Sequence, residues 1–100
     1  MRSFGDIIKS KREENGLFLR QVSALMEIDQ AIISKIERQE RKASREQVLK
    51  FAEVFEINPD ELIISWCSDK VAYELREENN TLEILKLAES KLKYLKTIKK

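Results

Sequence analysis

The stretch DQAIISKIERQERKASR, residues 29–45, gathers the side chains of this sequence with the most to offer a ligand. At helical spacing Ile33 and Ile36 form a buried side, while Gln30, Ala31, Ser34, Lys35 and Arg38 fall toward the other. A glutamine amide can bond an adenine edge twice, a lysine can donate to the acceptors of guanine, and an alanine can touch a thymine methyl. Arg41, Lys42 and Arg45 follow at once and, with Arg38, flank a helix start at Ser44, a combination that suits phosphate. An ordinary solvated helix face followed by a solvated charge run has the same composition, and these residues alone leave both readings open.

Other chemistry has little to stand on. There is no histidine, and Cys67 is the single cysteine, so the sequence offers no intramolecular disulfide, no histidine-based catalysis and no metal site. Gly5 and Gly16 stand alone, which leaves no glycine-rich phosphate loop. Paired acids such as Glu13 and Glu14, or Glu77 and Glu78, point to different sides of a helix and make poor acid/base dyads. Cys67, beside Trp66 at the end of an apolar stretch, reads as a reduced core thiol. No cofactor is expected, and an enzyme would need a convergent pocket of titratable groups that these residues do not supply.

The formal net charge of +1 conceals a strong pattern. Residues 35–50 carry six basic side chains against three acids, residues 53–83 carry nine acids against Lys70 and Arg76, and residues 86–100 carry six lysines against Glu89. The order is basic, acidic, basic, and the first basic block coincides with the helix of residues 29–45. No apolar run approaches the roughly 18 residues of a membrane span, and the start lacks the apolar core of a signal peptide. A soluble protein that stays where it is made is expected.

The elements that must position these side chains are helical. With 100 residues, 42% hydrophobic, 37% charged, two glycines and one proline, the composition favours one modest all-α domain with an appendage. Ser44 with Gln47, and Asn58 with Pro59 and Glu61, form capping boxes that start helices near 45 and 59. Ser3 caps a helix over 4–14 that stops at Asn15-Gly16, Asp29 caps one over 30–38, and Leu19, Val22, Leu25 and Met26 keep helical spacing over 18–26. Only Glu27-Ile28-Asp29 separates the last two, which is a helix-turn-helix arrangement. The expected core is Ile7, Ile8, Val22, Met26, Ile33, Ile36, Val48, Phe51, Ala52, Phe55, Leu62 and Ile63.

The run LRQVSALMEIDQAIISKIERQERKASREQVLKFAEVFEINPDEL, residues 19–62, resembles the Cro/lambda-repressor type of helix-turn-helix, also called XRE-like. The likeness extends over about residues 4–66, and its most specific part is ISKIER at 33–38 with the basic loop, the Ser cap and NPDEL that follow. It implies a five-helix domain that usually dimerises and binds operator DNA. It places Gln30, Ala31, Ser34 and Lys35 at positions the family uses against base edges, with Gln30 and Lys35 the most informative. Arg38, Arg41, Lys42 and Arg45 then read as phosphate contacts, and Arg12 and Glu37 match positions that form an internal ion pair orienting the reading helix. Two residues depart from the family pattern. Glu27 stands in the turn where glycine is most common, and Leu19 stands where a phosphate-contacting glutamine is common.

Beyond the domain of residues 1–67 lies an extension, 68–100. A polar helix over 69–78, anchored by Val71, Tyr73 and Leu75, is expected first, and Asn80 with Glu83 caps another. In that last helix Ile84, Leu85, Ala88, Leu92, Leu95 and Ile98 form a stripe of coiled-coil-like spacing that either folds back or pairs with a second subunit. Pairing through Ile84, Leu85, Ala88, Leu92 and Leu95 is favoured, because a half-site reader needs a two-fold partner. The expected function is a sequence-specific regulator, a homodimer on double-stranded operator DNA at the nucleoid of a bacterial cytoplasm. The alternative is an antitoxin-like module whose last helix captures a partner protein and which binds DNA secondarily.

Overall fold

Helix boundaries follow from capping chemistry written in the sequence. In a computed structural model describing residues 2–98, the helices are α1 (Phe4–Glu14), α2 (Leu19–Met26), α3 (Gln30–Glu37), α4 (Arg45–Phe55), α5 (Pro59–Glu74) and α6 (Thr81–Ile98), with no strand among the described residues. Met1, Lys99 and Lys100, at the outer ends of the two expected domains, lie outside the described residues. Reciprocal capping boxes open α1 (Ser3 with Asp6) and α4 (Ser44 with Gln47). The Asp29 carboxylate accepts from the Ala31 amide at 2.7 Å, and the Asn58 side chain accepts from the Glu61 amide at 3.1 Å. Helix α2 has no side-chain cap at its first turn's amides, but the Gln21 side chain accepts from the Phe18 N–H at 2.7 Å, half of a capping box.

The first four helices also end alike. The amides of Leu17, Ile28, Glu40 and Ile57 each donate to the carbonyl five residues back, at 3.0, 3.3, 2.8 and 2.9 Å. The residue before each is left-handed, namely Gly16, Glu27, Gln39 and Glu56, with φ between 54° and 64°. Only the first of these stops uses the residue type that adopts the conformation without strain.

The chain divides into two compact units, one running to Lys70 and the other starting at Val71. In the first unit α3 packs against α1 and α2, and α4 packs against α1 and α2. The core holds Ile8, Val22, Met26, Ile33, Ile36, Val48, Phe51, Ala52, Phe55 and Leu62 as expected, with Phe4, Ala43 and Trp66 added. Ile7 and Ile63 are packed against this core only half-buried, which corrects their assignment to the interior. Phe51 meets Phe4 edge-on at 6.0 Å and stacks parallel to Phe55 at 6.2 Å.

The separate polar helix expected over 69–78 is not formed. Neither glycine nor proline interrupts the chain after Pro59, and α5 runs unbroken to Glu74. Its far turns are tied to the first unit: the Trp66 indole N–H donates to the Ala43 carbonyl at 3.0 Å, and the Asp69 carboxylate accepts from the Phe4 amide at 2.7 Å. The Lys70 ammonium covers the Trp66 ring at 3.3 Å from its centroid. These contacts hold α5 as far as Lys70 within the first unit. In the second unit no residue of α6 is buried.

Candidate nucleic-acid interface

Helix α3 is held by its inner side and presents its outer one. Ile33 and Ile36 are fully enclosed, and Glu37 is the one charged residue buried among those described. Its carboxylate takes two hydrogen bonds from Arg12, Nε to Oε2 at 2.8 Å and Nη2 to Oε1 at 3.0 Å, while Nη1 donates to the Leu17 carbonyl at 3.0 Å. This is the bidentate geometry that arginine supplies and lysine cannot. Hydrogen bonding to Glu37 raises the Arg12 guanidinium pKa above its already high ordinary value. Joining the end of α1 to the last turn of α3, the pair fixes the roll of α3.

A second device at this joint carries no sequence motif. A Cβ at Gly5 would stand 2.5 Å from the Ile36 carbonyl oxygen and 2.8 Å from that of Glu37. Glycine there lets the backbone of α1 lie directly against the C-terminal turn of α3. The absence of a glycine-rich motif around Gly5 gave no hint of this role, and only the helix pairing brings it out.

The outward face is polar. Gln30, Ala31 and Lys35 are exposed and Ser34 is half-buried. They share a shallow open groove with Leu19 from the start of α2, the capping Asp29 and Arg38. The structure therefore brings the four expected base-facing residues onto one surface. Leu19, in the position where the family often has glutamine, adds an apolar wall to it.

The four expected phosphate contacts differ in their surroundings. All are exposed. Arg38 is engaged by Glu40, with Nε 3.0 Å from Oε2, but both side chains are more than half exposed, so the pair is weak and exchangeable. Arg45 lies 5.6 Å from the Trp66 ring centroid at the foot of α4. The Ser44–Gln47 box uses the Gln47 N–H at that helix start, so a phosphate there would rely more on Arg41, Lys42 and Arg45 than on that amide. Beside α2, the Arg20 guanidinium stacks on the exposed Phe18 ring at 4.6 Å, a surface feature that the helix pattern did not single out. No cluster of three or more His, Cys, Asp or Glu suited to a metal occurs among the described residues, and none of the described helices is long and apolar enough to cross a membrane.

Comparison with known proteins agrees with this geometry. No curated protein and no solved structure gives a significant match. The sequence model of a helix-turn-helix family matches residues 8–62, more than half of the chain, and spans the Arg12–Glu37 pair, the turn at Glu27 and all of α3. The chain therefore belongs to the lambda-repressor (XRE) type of helix-turn-helix family, a family of DNA-binding regulators.

Proposed function

We propose that this protein is a sequence-specific transcriptional regulator that occupies a two-fold operator as a homodimer, with α3 in the major groove. The observation that carries this reading is the exposed Gln30, Ala31 and Lys35 surface of a helix whose opposite side is locked to α1 by a buried bidentate pair. Rigid presentation matters because a base edge is read over hydrogen-bond distances, and a helix free to roll would average its contacts away. Gln30 bonds an adenine edge, Lys35 donates to guanine, and Ala31 and Ser34 complete the contact. Arg38, Arg41, Lys42 and Arg45 hold the phosphates on either side. A single half-site gives too little discrimination, so two copies act together, joined through Ile84, Leu85, Ala88, Leu92 and Leu95 of α6. Helix α6, with no buried residue, also suits a different protein, and that is the second reading: an antitoxin-like module that binds DNA secondarily.

Selection of bound duplexes from a random pool tests the proposal, with the full chain and with Lys35→Ala and Arg41→Ala. A two-fold motif is expected, relaxed at one symmetric position by Lys35→Ala. Arg41→Ala is expected to keep the motif and to flatten the log affinity against log salt by about 0.9 for each phosphate that is no longer neutralised. Folded protein that enriches no motif would overturn the regulator reading in favour of the protein-partner one.

A further inference from the structure

Resting on the homodimer reading above, the pattern of α6 also carries an orientation. We infer that two copies of α6 pair antiparallel, centred on Ser90, with Leu85 facing Leu95 of the partner subunit and Ala88 facing Leu92 of the partner subunit.

The seam comes first. Leu85, Ala88, Leu92 and Leu95 fall at alternating three- and four-residue spacings, the a and d positions of a heptad. The three leucines are 44%, 53% and 49% exposed, so the stripe lies open along α6. Laid parallel and in register, like faces like, and the Ala88 layer would hold two methyl groups between layers of paired leucines. Laid antiparallel, a positions face d positions. Leu85 then meets Leu95 and Ala88 meets Leu92 at either side of the two-fold, and each layer carries at least one leucine. Interiors fill to an even density, and a layer of two alanines would leave a void that the other arrangement does not.

Charge selects the same arrangement. From Thr81 to Glu89 the helix carries Glu83, Lys86 and Glu89, whereas from Ser90 to Ile98 it carries Lys91, Lys93 and Lys96 and no acid. Parallel pairing would gather both lysine halves at one end and set Lys91 beside Lys96 of the partner subunit on both flanks of the seam, a repulsive arrangement. Antiparallel pairing sets one Glu89–Glu89 and one Lys91–Lys91 approach at the two-fold, each about two residues' rise apart, but offsets them by laying each lysine half along the acidic half of the other copy. Glu89 then comes within about five helical residues' rise, roughly 7.5 Å along the axis, of Lys96 of the partner subunit, within reach of two long side chains. The opposed helix dipoles add to the preference.

Spin labels on the outer face decide it without touching the seam. Ser90 and Thr97 occupy equivalent outward positions one heptad apart, and both are exposed. In a Cys67→Ser background, Ser90→Cys and Thr97→Cys are labelled singly in the full chain, and the distance between the two labels of a dimer is measured by pulsed electron resonance. Sedimentation of the same samples gives the oligomeric state. Antiparallel pairing adds about 21 Å of axial separation at residue 97 and none at residue 90, at 1.5 Å per residue. A markedly longer distance at 97 than at 90 supports the proposal. Equal distances in a dimer overturn the orientation and leave the dimer standing. A dimer that survives Leu92→Glu shows pairing through another surface and overturns the use of α6, and a monomer overturns the homodimer reading itself.

Discussion

Replacing Glu37 by alanine tests how α3 is held. The Glu37 side chain is 5% exposed and that of Arg12 14%, and the two groups meet at 2.8 Å. The substitution strands a guanidinium in the interior, with the Leu17 carbonyl, at 3.0 Å, still accepting from it. Removing one member of a buried pair costs about 3–5 kcal/mol, and the edge of Arg12 that reaches water brings the expected loss toward the lower figure, about 3 kcal/mol. Replacing both residues by methionine removes the charges together with the cost of burying them, and should cost less than about 1 kcal/mol. The double variant is therefore expected to be more stable than either single one. Urea unfolding followed by far-ultraviolet circular dichroism measures the wild type, Glu37→Ala, the single variants Arg12→Met and Glu37→Met, and the double variant, and the midpoint should move while the slope stays constant. Because the pair is screened from water, the pattern should persist in about 1 M salt, unlike that of an exposed pair. Losses that simply add in the double variant, or a Glu37→Ala loss below about 1 kcal/mol, would refute the claim that this pair anchors α3.

The same joint predicts that Gly5→Ala destabilises the protein by about 1–3 kcal/mol, because its methyl would enter the space of two carbonyl oxygens, even though alanine is the better helix former by about 1 kcal/mol; calorimetry should show a lower Tm. Glu27→Gly should have the opposite sign and stabilise by about 1 kcal/mol, since φ of 59° strains a residue with a Cβ, and chemical unfolding should show it with operator affinity unchanged. Asp6 responds to pH: hydrogen bonds from Ser3, the backbone one first, hold its carboxyl below the ordinary carboxylate value. A group with a depressed folded pKa contributes stability above its unfolded pKa and loses it as pH falls through the folded one. The stability advantage of the wild type over Asp6→Asn, followed by urea unfolding from neutral pH into the acid range, should shrink below the ordinary carboxylate value.

Much of the first unit was legible because its signals are local. A capping box spans four residues, and the Ser44–Gln47 box located α4 to the residue. The enclosed side of α3 followed from Ile33 and Ile36 at helical spacing, and the Arg12–Glu37 contact followed from the family resemblance, since nothing in a separation of 25 residues announces an ion pair. What escaped depends on how helices meet. Gly5 is an unremarkable helix residue until another backbone lies against it, and Asp69 is one more acid in an acidic stretch until its carboxylate reaches the Phe4 amide.

The departure at α5 shows why a polarity change is a poor guide to a boundary. The expected break near residue 68 followed the end of the family likeness at about residue 66 and the polar character of residues 69–78, but a helix ends where its backbone loses partners or meets a breaker, not where its surface changes composition. Ser65 and Ser68 sit within the helix, the Ser68 hydroxyl bonding back to the Ser65 carbonyl at 2.9 Å. Trp66, buried, and Asp69, half-buried, then continue the inner face of Leu62, and the exposed Lys70 lies over the Trp66 ring. In the second unit Leu85, Leu92 and Leu95 are exposed, while Leu75, Ile84 and Ala88 are half-buried. Exposed leucines at heptad spacing on a helix with no buried residue call for a partner, whereas a lone exposed leucine would not. That contrast between a closed domain and an open helix is why the proposed division of labour assigns DNA to α3 and assembly to α6.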